Sequence, residues 1–198
     1  MGRNALRGRD IWQDASGGKA AAAEHTFFGV FTRAFEGTNF GIRSKPKEFR
    51  DVYSKVELSQ AILDCIYCPD ETWTHGMFPD YAIDNTETGK TLYVEVKRQD
   101  GWVEGKARNA GRGNAHERSN KLFTPGLMKM MRERGKLGDD VLPFWVVFQG
   151  DIARDPKRVR EITFWYGDYN AHFFLWHDST NDAALLNHFN IKLKPLLL

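Results

Sequence analysis

Apolar and polar positions alternate most regularly between Lys90 and Lys97. Leu92, Val94 and Val96 fall on one side there and Tyr93, Glu95 and Lys97 on the other, the period of two that marks a half-buried strand. Residues 79 to 85 read as its neighbour, joined through the polar turn Thr86-Glu87-Thr88-Gly89, so the two runs form an antiparallel hairpin. Upstream, Phe27, Phe28, Val30, Phe31 and Phe35 repeat at helical spacing in a run from Lys19 that Gly37 closes. Gly41 to Lys47 reads as a basic connector, with Pro46 opening a short helix through Tyr53. Val56, Leu58, Ala61, Ile62, Cys65 and Ile66 predict a further helix to Tyr67, stopped by Pro69-Asp70.

In the second half, helices are expected from Ala115 to about Phe123, from Leu127 to Gly135, after Asp155-Pro156, and after Ser179 through Ile191. Val141 to Phe148 is apolar at nearly every position and reads as a buried central strand, and His172 to Trp176 as another. Strands interleaved with helices predict an α/β chain with a mixed central sheet flanked by helices. At 198 residues this is one domain, 1–198.

Composition changes little in that picture. Hydrophobic residues at 41% and charged residues at 27% are ordinary for a globular protein. The longest apolar run is far too short to span a membrane, and the N-terminus lacks the pattern of a secretory signal, so an intracellular protein without membrane contact is expected. Residues 1 to 18 mix arginines with glycines and predict a loosely held basic arm. The cysteines, Cys65 and Cys68, have no second pair to complete a zinc site and are expected as buried thiols at a helix end. His25, His75, His172, His177 and His188 keep no motif company and default to core or surface roles.

Candidate chemistry lies in the hairpin. Its turn brings Asp80 back towards Glu95 and Lys97, so two carboxylates and an ammonium share one small site. Hard divalent cations such as Mg²⁺ take oxygen ligands, and two carboxylates plus a substrate phosphate suit them. Lys97 beside such an ion can orient or help deprotonate a water, or stabilise charge on the phosphate. Pro79-Asp80, fourteen residues, then Glu95-Val96-Lys97 is the nuclease pattern PD-(D/E)xK. Taken alone, the pattern fits equally an exposed strand with a surface Glu and Lys.

The net charge of +2 announces no partner, but its distribution does. Between Lys97 and Lys121 seven basic residues stand against three acidic ones, in a stretch rich in glycine. A segment of that length without apolar periodicity is either functional or disordered. Its glycines allow close backbone approach, and Arg and Asn are the side chains that bond bidentately to guanine and adenine edges. Residues 98 to 121 are therefore a candidate DNA-recognition segment. Lys157, Arg158 and Arg160 form either a phosphate clamp or a solvated helix face.

Gly113-Asn114-Ala115-His116-Glu117-Arg118-Ser119 resembles the recognition sequence of the EcoRI-type restriction endonucleases. With the hairpin motif and the run Arg98 to Lys106, it resembles their MunI/MfeI branch. The similarity continues through Lys121 to Leu127, Leu142 to Phe148 and Arg154 to Tyr166, most of the chain in one order. The resemblance implies a restriction-endonuclease-like core and a homodimer that cuts both strands of a palindrome with Mg²⁺. It implies metal ligands at Asp80, Glu95 and the backbone carbonyl of Val96, and a water-positioning Lys97. It implies base reading of an inner AATT by Gly113, Asn114, Ala115 and Arg118, and contact of Arg112 with an outer guanine, giving CAATTG cut before AATT to leave four-base 5′ extensions. A cognate methyltransferase and a bacterial cytoplasm go with it. Asn120 replaces a cysteine associated with that branch, and residues 106 to 109 vary, which leaves GAATTC as the alternative target. Two other readings stand beside it: a DNA-binding module without cleavage, and a junction nuclease that follows structure rather than sequence.

Overall fold

The structure is a computed structural model that describes residues 3–67, 73–101, 103–106 and 114–198, with the backbone course alone for 3–17. Five strands form one sheet in the order β1 (Phe40–Ser44), β2 (Tyr81–Asn85), β3 (Thr91–Arg98), β4 (Phe144–Gln149), β5 (Phe173–Trp176). The first three pair antiparallel and the last two join in parallel, a mixed sheet as expected. Helices cover both faces: α1 (Arg3–Phe35) and α5 (Asp182–His188) on one, α3 (Pro125–Gly135) and α4 (Pro156–Tyr166) on the other. A single helical turn, α2 (Gln60–Leu63), lies apart from either layer.

The hairpin turn is built as its residues dictate. Asn85 Oδ1 accepts from the backbone N–H of Glu87, and Gly89 takes a φ of 69°, a left-handed value that suits glycine. Register follows from the turn, setting Tyr81 opposite Val94 and Ile83 opposite Leu92. β3 is not half-buried, however. Leu92, Val94 and Val96 pack under α1, while Tyr93 packs under α3 and α4, so the polar face of the expected strand is an interior one. β3 lies in the middle of the sheet, antiparallel to β2 and parallel to β4, and carries helices on both faces, which alternation alone does not reveal.

Aromatic packing fixes α1 to the sheet. Phe27 stacks on Tyr81 at 5.5 Å and meets Trp145 edge-on at 5.6 Å, and Phe31 meets Phe189 at 5.3 Å. The helix runs back to Arg3, where composition predicted a loose arm over residues 1 to 18. Extending an already anchored helix adds one hydrogen bond per residue and avoids a second nucleation, so Gly17 and Gly18 do not end it.

Three further expectations change. The basic connector contains the edge strand β1, and residues 47 to 55 form turns instead of a helix. The helix over 56 to 67 shrinks to α2 because no core faces its apolar stripe: Val56, Leu58, Ile62 and Ile66 are exposed. Cys65 is exposed as well, so it is not a buried thiol, and Cys68 lies outside the described residues. The last helix is capped by Asn181, whose side chain accepts from Ala184 N–H, and not by Ser179. Among the described residues no helix is long and apolar enough to cross a membrane.

Candidate active site and recognition segment

Register on β2 and β3 places Asp80 beside the Glu95-Val96-Lys97 run. Asp80 Oδ2 accepts from the backbone N–H of Val96 at 2.9 Å and lies 3.4 Å from Lys97 Nζ. The same ammonium donates to Glu95 Oε2. Two carboxylates, 6% and 4% exposed as residues, therefore converge on one cation. Isolated carboxylates at that depth would be strongly destabilising, so their pairing is a condition of the fold as well as a feature of the site.

Burial acts on all three groups and their partners decide the outcome. It opposes charge on Asp80, but Lys97, Lys45 and the Val96 N–H outweigh it and hold the carboxyl below its ordinary range. It pushes the Glu95 carboxyl up, and Asp80 adds to that shift, by more than Lys97 pulls it down. Burial would also discharge Lys97, yet Glu95 and Asp80 keep its ammonium above the usual lysine range. The two carboxylates thus differ in proton affinity.

Lys45 belongs to this site and was missing from the sequence reading. Its Nζ is 2.6 Å from Asp80 Oδ1 and 3.3 Å from Glu24 Oε2, and its backbone N–H donates to Asp80 O. A left-handed φ of 46° turns the chain there from β1 towards Asp80. No local signal marks Lys45: it stands 35 positions before Asp80, and the strand pairing that joins them is tertiary.

The candidate recognition segment leaves the end of β3. Arg98 Nη1 donates to Gln149 Oε1 at 2.7 Å, and its other terminal nitrogen reaches Asp100. Gly150 makes this closeness possible, since a Cβ there would meet Asp100 Oδ1 at 2.5 Å and Gln99 O at 2.8 Å. Gln99 Oε1 accepts from the backbone N–H of Ala115 at 3.0 Å, which ties the returning segment to the extension of β3. Asn114 and Arg118 are exposed and Ala115 is half-buried. Asn114 Nδ2 donates to Glu117 Oε2, while Arg118 makes no side-chain hydrogen bond or ion pair among the described residues. Residues 117 to 123 form 3₁₀ turns in place of the expected α-helix. Arg112 and Gly113 lie outside the described residues. Of the basic trio on α4, Lys157 and Arg160 are exposed, but Arg158 turns inward to Glu161 at 2.7 Å.

A family model for the type II restriction enzyme MunI matches residues 1–198. The chain belongs to that family. The type II restriction enzyme MunI of a Mycoplasma species is 52% identical over 201 residues, all of both chains being covered. A crystal structure of MunI restriction endonuclease in complex with cognate DNA matches with a TM-score of 0.81 at 51% identity, covering 94% of this chain and 97% of that one. The chain is accordingly a type II restriction endonuclease, a site-specific deoxyribonuclease with a restriction-endonuclease-like α/β fold. A divalent metal cofactor goes with membership of the family.

The residues present suit such an ion. Asp80 and Glu95 supply hard oxygen donors, and a single cation, the Lys97 ammonium, already bridges them. Among the described residues no cluster of three or more His, Cys, Asp or Glu is gathered for a metal.

Proposed function

We propose that the chain, as a homodimer with Mg²⁺, hydrolyses both strands of CAATTG before the inner AATT and leaves four-base 5′ extensions. The observation that carries the reading is the convergence of Asp80 Oδ2 and Glu95 Oε2 on Lys97, one short segment away from an exposed Asn114 and Arg118. Asp80, Glu95 and the backbone carbonyl of Val96 hold the metal. Bound there, Mg²⁺ supplies positive charge for the negative charge that develops on the phosphate. Lys97 positions the attacking water for in-line displacement at phosphorus, and its raised proton affinity keeps it a hydrogen-bond donor at neutral pH.

Arg112, Gly113, Asn114, Ala115 and Arg118 read the bases. Asn suits the adenine N6 and N7 edge, Ala the thymine methyl, and Arg an acceptor pair such as guanine O6 and N7. A palindrome matches a two-fold dimer, each protomer reading one half. The enzyme acts in the cytoplasm beside a methyltransferase that protects the same sequence.

Digestion of a plasmid carrying both CAATTG and GAATTC, with Mg²⁺ and sequenced fragment ends, tests the reading. Cuts before AATT at CAATTG alone are expected. Cutting at GAATTC would overturn the outer base pair, and a gel shift with no cutting would overturn the assigned chemistry.

A further inference from the structure

His116 is the residue of the recognition segment that faces inward. Its neighbours Asn114, Glu117 and Arg118 are exposed, whereas its own exposure is 0%. The ring stacks on Trp165 of α4, with centroids 5.2 Å apart and planes 18° from parallel. Nε2 lies 2.8 Å from Glu161 Oε2 and 3.0 Å from Arg158 Nη1, and Arg158 Nη1 donates to the same carboxylate oxygen at 2.7 Å. An ionised carboxylate only accepts, so Nε2 carries the ring proton and donates it to Glu161. The cluster then leads back to the segment: Arg158 Nη1 is 3.9 Å from Glu117 Oε1, and Glu117 Oε2 accepts from Asn114 Nδ2 at 3.1 Å. Ser119 Oγ closes the turn on His116 O at 2.6 Å.

We infer that His116, held by Glu161, which Arg158 in turn fixes, is a specificity-determining positioning residue that sets how Asn114, Ala115 and Arg118 meet the base edges. This rests on the reading of those three residues as base contacts. Full burial keeps the imidazole itself out of reach of a base. Packing alone would need only an apolar side chain at 116. The polar triad adds direction, because Nε2 must aim at one oxygen of α4 while the backbone on either side of it carries the reading groups. Among the described residues, Gln99 anchors Ala115 and α4 anchors His116. Bidentate base recognition depends on angle as well as distance, and a misplacement of about 1 Å costs about 100-fold in rate.

The test compares full-length enzyme with His116→Leu, His116→Gln, Glu161→Leu and Asn114→Ala. Single-turnover cleavage is measured with Mg²⁺ on a CAATTG duplex and on duplexes with one inner base pair changed, alongside thermal unfolding. His116→Leu and Glu161→Leu, which removes the acceptor that a Gln would keep, should each lower the ratio of cognate to altered-site rates by about 10-fold or more. His116→Gln, which can offer an N–H to Glu161, should recover part of that ratio even where it does not raise the unfolding temperature. If His116→Leu fails to fold, Glu161→Leu decides alone. An unchanged ratio in Glu161→Leu while Asn114→Ala loses it overturns the positioning role. An unchanged ratio in Asn114→Ala overturns the base-reading assignment itself, and the inference with it.

Discussion

The carboxylate site and the recognition segment are continuous in sequence and opposite in construction. Glu95 and Lys97 sit on β3 and Asp80 immediately before β2, beside Leu92, Val94, Trp145 and Phe27, so the hydrophobic core holds their geometry. Asn114 sits on the loop before the 3₁₀ turns and Arg118 on those turns, and their segment is held by individual polar contacts from Gln99, Glu117 and the α4 cluster. Core packing is cooperative and tolerates no loose placement of what it carries. Polar anchors act one at a time, so a reader built on them can shift without unfolding the enzyme. Chemistry common to many nucleases suits the first arrangement, and base preference suits the second.

The largest effect expected from this contrast is a split between cutting and reading. Asp80→Ala should lower single-turnover cleavage about 100- to 1,000-fold, the scale for removing a group that organises charge at the reacting centre. Site-specific binding in a gel shift should persist, because the segment from Asn114 to Arg118 does not depend on Asp80. Arg118→Ala should do the reverse, costing about 1–3 kcal/mol of cognate preference and leaving slow, less selective cutting. Equal losses of binding in both variants would mean that the two regions are not separable in this way.

Legibility in the sequence divides along the same line. The hairpin was readable because period-two alternation and an Asn/Gly turn are local signals, and register then followed. Val141 to Phe148 was readable as a buried strand because it is apolar throughout. Burial of the polar face of β3 was not, since helices arriving from residues 125 to 166 supply it. Lys45 was missed because only the β1–β2 pairing brings it to Asp80. The stripe from Val56 to Ile66 looked like a core helix because periodicity reports a helix face without saying whether anything covers it. His116 was legible as part of a motif but not as its inward pin, which depends on Trp165 and Glu161.

A second prediction attacks the core beneath the carboxylate site. His172 is 3% exposed at the start of β5, with Nδ1 2.9 Å from Phe144 O on β4. Burial pushes its imidazole down from 6.5 to about 4, against the Phe144 carbonyl, which favours the protonated ring. The unfolded chain therefore takes up a proton between those values that the folded chain refuses. Stability from this group is full above pH 6.5 and falls as the pH drops towards 4, by about 3 kcal/mol in all. Urea unfolding at pH 7 and pH 5 should show part of that loss, and His172→Gln should flatten it. An identical pH dependence in the variant would place the acid-sensitive group elsewhere.

The smallest effect expected is also the one that bears on how the two regions communicate. Gln99 lies two residues beyond Lys97, and its side chain accepts from the Ala115 N–H. Its backbone N–H donates to Gln149 O, and its carbonyl accepts from Ile152 N–H, so its own position is fixed by the sheet. One residue thus joins the rigid region to the adaptable one. Gln99→Leu keeps the bulk and the backbone bonds while removing the acceptor, leaving the Ala115 N–H unpaired at a cost of about 1–3 kcal/mol. Because Ala115 is half-buried, part of that cost should be recovered by water, and a fall of about 10-fold in cleavage of CAATTG is the expected size. The informative quantity is how the fall divides. If Gln99 transmits base contact to the phosphate, single-turnover kcat should drop with little change in KM, and on altered sites, where the base contacts are already poor, the substitution should cost less. If it only tethers the segment, KM should rise, kcat should hold, and the penalty should be the same on every site.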